Sequence, residues 1–198
     1  IYPTTWKSYK EIGINITGRS KLLKVPYRTN QDHLNFALSF LSIDNSIKDN
    51  ISDFYDIEKL EAFKNKNQKI TLEESSPLKL ARNIESLIEN NIYQPKDILI
   101  LCRTINETKE FKNQFKASLR NKFSTDKEPK EGLGHITTMK SSKGLEAKCC
   151  VLYKIDSLDS KSKIDRMLLY VAMTRASEKL IITYRYKKGF ALEVSNIF

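Results

Sequence analysis

The sequence predicts an α/β protein with an open, mostly parallel sheet and flanking helices, and three observations carry that reading. Short apolar runs of strand length alternate with segments whose apolar residues recur at helical spacing. The run "DILILC" (97–102) is apolar throughout, as strands buried on both faces of a parallel sheet tend to be. No internal repeat or low-complexity tract interrupts the alternation, and 198 residues can bury one sizeable core.

Taken in order, "LLKVPY" (22–27) reads as a short strand, and Thr29 can cap a helix whose Leu34, Ala37, Leu38 and Leu41 share one face. Residues 44–69 are polar and irregular, a surface insertion with some helix around Ile57 to Phe63. "KITLEE" (69–74) is strand-like, and Ser76–Pro77 opens a second helix that turns Leu80, Ala81, Ile84, Leu87 and Ile88 inward. After the 97–102 strand, Thr104 and Glu107 form a capping-box pattern for a helix carrying Phe111, Phe115 and Leu119. The stretch 121–134 reads as a loop. "HITTM" (135–139), "CCVLY" (149–153) and "KLIITY" (179–184) supply three more strands, and 163–177 the last long helix. In such sheets ligands gather at the carboxyl ends of the strands, which points to loops 103–105 and 140–146.

Composition narrows the class. The chain is 40% hydrophobic and 29% charged, a globular balance. No apolar run approaches the roughly 20 residues of a membrane span, and "IYPTTWKSYK" has no signal-peptide architecture, so the expected setting is cytoplasmic. Cys102, Cys149 and Cys150 sit in apolar runs without metal-ligand spacing, which predicts reduced, buried thiols and no metal site. The net charge of +10 fits a polyanion partner such as nucleic acid, but lysines scattered through an Asn- and Ile-rich chain give the same number.

Two local features stand out. "GINITGRS" (13–20) imitates a phosphate loop with arginine for lysine; a true one follows a hydrophobic strand and opens a helix, whereas this one runs into strand-like "KLLKV". We read it as a decoy. The other is Arg175, which continues the helical stripe of Ile164, Leu168 and Val171 and predicts an anion waiting for it. The alternative is an arginine that lays its stem over the sheet edge.

Four segments then occur in a fixed order: "LKVPYRTNQDHLNFA" (23–37), "DILILCRT" (97–104), "TMKSSKGLEAKCCVLY" (138–153) and "LLYVAMTRASEKLIIT" (168–183). Together they resemble the second RecA-like motor domain of a superfamily 1 helicase of the UvrD/Rep type, over nearly the whole chain, from residue 1 to about residue 185. The opening Ile1–Tyr2 resembles the tail of that family's motif III, which implies that the chain begins just past the first motor domain. No credible phosphate-loop lysine or acidic magnesium motif is present here, and the resemblance assigns both to that first domain.

The resemblance implies roles residue by residue. Arg175 matches the arginine that reaches the γ-phosphate of ATP across the interdomain cleft, and Arg28 matches a second one. A guanidinium suits this task because it offers phosphate a planar fork of donors and stays charged. Tyr27 matches an aromatic that stacks on adenine, although a core tyrosine at a strand end is the competing reading. Glu146 matches the glutamate that binds the ribose, Lys143 a lysine near the phosphates, and Gly144 lets backbone approach a ligand. Arg103, Thr104, Thr138 and Lys140 match positions on the DNA side, and Tyr2 and Trp6 resemble rings on which bases stack. The implied ligands are ATP with Mg²⁺ and single-stranded DNA, and the implied protein partner is the first RecA-like domain.

The chain also departs from the pattern. Lys140 stands where the family usually has histidine, Ile105 where asparagine commonly follows Arg-Thr, and the spacing of Tyr2 and Trp6 differs from I-Y-x-W. One helix and a loop are expected between Thr104 and Lys140, where UvrD carries a large subdomain. The expected function is therefore the C-terminal motor domain of an ATP-dependent DNA helicase, inactive alone; the alternative is a stand-alone module that binds nucleic acid or a partner.

Overall fold

The computed structural model describes residues 31–45 and 69–198. The expected 22–27 strand, the Thr29 cap, the 13–20 decoy and nearly all of the 44–69 insertion lie outside them. The helices are α1 (Gln31–Leu41), α2 (Pro77–Glu89), α3 (Ile105–Lys112), α4 (Ala117–Arg120), α5 (Lys163–Met173) and α6 (Phe190–Ser195). The strands are β1 (Lys69–Glu74), β2 (Ile98–Cys102), β3 (Phe123–Ser124), β4 (Gly134–Thr138), β5 (Ala147–Leu152) and β6 (Ala176–Tyr184).

The six strands form one sheet in the order β1–β6–β5–β2–β4–β3, and every neighbouring pair is parallel. The expected α/β architecture is thus present. Alternation along β2 shows why its sequence is apolar throughout: Ile98, Ile100 and Cys102 enter one core, Leu99 and Leu101 the other. The core that takes Leu99 and Leu101 joins α1, α5 and α6 to one face of the sheet; the core that takes Ile98, Ile100 and Cys102 joins α2 and α3 to the other. Each fully buried Leu or Ile contributes about 1.5–3 kcal/mol relative to exposure. The three cysteines are free and buried, and burial pushes the Cys149 thiol up to about 12, so it is unreactive at neutral pH. Among the described residues no helix is long and apolar enough to cross a membrane.

Local chemistry starts the helices where expected. Ser76 accepts from Lys79 N–H at 3.2 Å ahead of Pro77, and Thr104 and Glu107 close a reciprocal capping box. Tertiary contacts override the sequence pattern in three places. The expected long helix after Thr104 stops at Lys112, and its continuation is the separate α4. The break lets Phe115 stack on Phe123 at 4.5 Å, and Glu85, far away in sequence, accepts the freed Lys116 N–H at 2.6 Å. Arg120 donates to the carbonyls of Asn113 and Phe115 that the break exposes, at 3.1 and 3.0 Å. The expected 121–134 loop contains β3, which pairs with the start of β4. The last long helix ends at Met173 rather than 177, because β6 is already paired with β5 from Ala176 onward.

The helical stripe is also corrected. Ile164 is 54% exposed, and Leu168 and Val171 are only part-buried. The face of α5 that meets the core is Arg166, Leu169, Ala172 and Met173. The arginine on the core face is therefore Arg166. It pairs with Glu193 at 2.7 Å and lies 5.1 and 5.0 Å from the Phe40 and Phe190 ring centroids, which compensates its desolvation.

Candidate functional site

In a parallel sheet all carboxyl ends lie at one edge and all amino ends at the other. Those residues singled out by the resemblance that the structure describes divide between these two edges. Residues 139–146 leave the carboxyl end of β4 and cross the sheet face to enter β5 at its amino end. The expectation that loop 140–146 as a whole belongs to the carboxyl edge is thereby corrected: Lys140 does, Glu146 does not.

At the amino edge Arg175 occupies the two-residue turn between α5 and β6. It is part-buried. Its Nε donates to Val171 O at 3.0 Å, Nη1 to Leu145 O at 3.2 Å and Nη2 to Thr174 Oγ1 at 3.1 Å. One of these acceptors, Val171 O, is a carbonyl of the last turn of α5 that Thr174 Oγ1 also meets at 2.9 Å, and a cation there complements the helix dipole. Ala147 N–H donates to Arg175 O at 3.1 Å. Both contacts bind the Lys143–Glu146 segment to Arg175. Gly144 has φ +87, and a Cβ there would meet nothing within 4 Å, so glycine serves the backbone conformation rather than space. Lys143 and Glu146 are exposed.

Beside Glu146 a cleft of about 260 Å³ opens between the amino ends of β2, β4 and β5 and the 129–133 loop. His135 lines it, 5% exposed, with neither ring nitrogen hydrogen-bonded within the protein. Burial lowers its pKa, against the opposing pull of Asp126 and Glu128. His33 on α1 donates through Nδ1 to Ala176 O at 3.0 Å, next to Arg175, and burial lowers its pKa too. Sequence reasoning missed both histidines. Each sits in an unremarkable helix or strand pattern, and nothing local marks either one.

At the carboxyl edge Met139 N–H donates to Cys102 O at 2.8 Å, which brings the ends of β2 and β4 together. Thr138 Oγ1 donates to Ser141 Oγ at 2.9 Å and accepts from Ser141 N–H at 3.1 Å, so it anchors the turn that presents exposed Lys140. Thr104 Oγ1 caps α3 by accepting from Glu107 N–H at 3.2 Å. Arg103 donates to Ser157 O and lies 3.5 Å from Asp165, which ties the end of β2 to the first turn of α5. Ile105 is 65% exposed beside them. Tyr2, Trp6, Tyr27 and Arg28 lie outside the described residues. Among the described residues no group of three or more His, Cys, Asp and Glu side chains could hold a metal ion.

Residues 133–183 match the family model of the UvrD-like helicase C-terminal domain. Among solved structures the chain is similar to the C-terminal domain of a possible DNA helicase from Lactobacillus plantarum WCFS1. The TM-score is 0.54 at 13% identity, covering 81% of this chain and 88% of that one, a likeness of fold. No curated protein matches the chain. The stretch that carries Thr138, Lys140, Lys143, Gly144, Glu146 and Arg175 is thus the part of the chain that matches the UvrD-like helicase C-terminal domain model.

Proposed function

We propose that the chain is the C-terminal motor domain of an ATP-dependent DNA helicase or translocase, with its nucleotide-facing groups at the amino edge of the sheet and a single-strand track at the carboxyl edge. The segregation of the matched residues supports this reading most. Lys143, Gly144, Glu146 and Arg175 gather at one edge, Arg103, Thr104, Thr138 and Lys140 at the other. Two elements run between the edges: residues 139–146, and α5, whose Asp165 faces Arg103 while Arg175 follows its far end.

The residues present fit a phosphate. A guanidinium has five N–H donors, and three of Arg175's are engaged within the chain, which leaves two for an incoming anion. They suit a charge that develops on a γ-phosphoryl oxygen during transfer. Glu146 is exposed beside them and can accept from ribose hydroxyls. Mg²⁺ and a phosphate loop would come from the first motor domain, and Arg28 would join Arg175 from this one. Hydrogen exchange on the intact protein tests the division. A non-hydrolysable ATP analogue should protect amides at 143–147 and 175–176, and oligothymidylate those at 103–104 and 138–142. Protection of one edge by both ligands would sink the proposal.

A further inference from the structure

The carboxyl edge does not end at Lys140. β6 delivers its own carboxyl end, Tyr184, to the same edge, and the chain continues as Arg185, Tyr186, Lys187 and Lys188 before Gly189 leads into α6. All four side chains are exposed, Tyr186 at 60%. The turn is nonetheless built. The Asp156 carboxylate accepts Arg185 N–H at 2.9 Å and Tyr186 N–H at 3.0 Å, and Lys188 N–H donates to Tyr186 O at 2.8 Å. The nearby acid thus holds backbone, and among the described residues no carboxylate pairs with Arg185, Lys187 or Lys188. Lys188 Nζ stands 5.6 Å from the Tyr186 ring centroid.

We propose that the 185–188 turn is a further contact for single-stranded nucleic acid, Tyr186 stacking on a base while Arg185, Lys187 and Lys188 meet phosphates. The proposal rests on the reading of the carboxyl edge as the strand side. Three features favour a single strand over other polyanions. An exposed ring set among cations matches the two components of a strand, base faces and phosphates. Fixed backbone keeps the ring presented without an ordering cost on binding. Position supplies the third: β6 and β4 are separated in the sheet by β5 and β2. At about 4.8 Å per step, an extended strand that leaves Lys140 and crosses the edge reaches the turn after roughly 14 Å.

Fluorescence anisotropy with labelled oligothymidylate, read on the intact protein as a function of salt, tests it. Tyr186→Ala should weaken binding about 5- to 150-fold, the worth of one stacked base, with the salt slope unchanged. Tyr186→Phe should restore binding. Changing Arg185, Lys187 and Lys188 to Ala together should flatten the log–log salt slope by about 0.7 for each phosphate no longer neutralised. Wild-type affinity and slope in both sets, with Lys140→Ala weakened, would overturn the turn's role and leave the carboxyl edge standing. Loss in neither the turn variants nor Lys140→Ala would overturn the edge reading as well. Equal weakening of polyglutamate binding by Tyr186→Ala would show a general anion patch and refute stacking.

Discussion

Arg175 is held by Val171 O, Leu145 O and Thr174 Oγ1, so its substitution carries two separable consequences. If Arg175 meets the γ-phosphate as proposed, Arg175→Ala in the intact protein is expected to lower the kcat of ATP hydrolysis by about 10³- to 10⁵-fold, the range of an arginine finger. That corresponds to roughly 4–7 kcal/mol of transition-state stabilisation. The same change removes charged donors from two carbonyls, so stability should also fall by about 1–3 kcal/mol. Arg175→Lys separates the two, since an ammonium can meet one carbonyl but not form the planar fork. Recovered melting temperature with turnover still lost is the expected outcome; turnover recovered with stability would reduce Arg175 to a clasp. The histidines give a second test. Burial holds His33 and His135 below their ordinary value of 6.5, against Asp32 in the first case and Asp126 and Glu128 in the second. The unfolded chain therefore takes up protons first as pH falls. Their contribution is complete above pH 6.5 and is lost as pH drops through the depressed native values. Thermal melts between about pH 7 and pH 5 should show this loss, and His33→Asn with His135→Gln should shrink it.

At the scale of elements, two glycines in the same region do different jobs, and substitution should tell them apart. Gly144→Ala meets open space but must hold φ +87, a strain of about 1–2 kcal/mol. Gly134→Ala would drive its Cβ into the Phe123 ring and to within 2.7 Å of Pro95 O. Backbone must then move, with a cost of about 3 kcal/mol or more. Urea melts should rank Gly134→Ala as the more damaging change, and the opposite order would contradict the close approach of Phe123 and Pro95 to Gly134. These elements also show what is legible in a sequence. Helix starts at Ser76 and Thr104 are written locally, because the capping oxygen and the amide it accepts are three residues apart. The end of α3 is not, because the Lys116 N–H that the break frees is met by Glu85, 31 residues away from it. The stripe on α5 misled for a related reason. Ile164, Leu168 and Val171 have helical spacing, yet which face meets the sheet is decided by the neighbours of Arg166, two aromatic rings and Glu193.

For the molecule as a whole, parallel pairing was readable from β2 alone, since five consecutive buried residues need a core on each face. The division of the motif residues between two edges was not readable, because spacing along the chain does not say that residues 139–146 cross the sheet. That crossing has a measurable consequence. If the carboxyl edge holds the strand and the amino edge only half of a nucleotide site, these 198 residues by themselves should bind single strands yet hydrolyse no ATP. Binding should be weak and salt-sensitive, since it depends on exposed cations that meet phosphates. Lys140→Ala should lower the log–log slope by about 0.7, the share of one single-strand phosphate. Arg103→Ala should lower it less, because Arg103 is already engaged by Ser157 O and Asp165 and must exchange those partners to reach a phosphate. Asp165→Asn frees it and should raise both affinity and slope. Strand-stimulated phosphate release by the 198 residues alone would mean that the nucleotide site is complete within them, and the split between edges would no longer describe a half-motor.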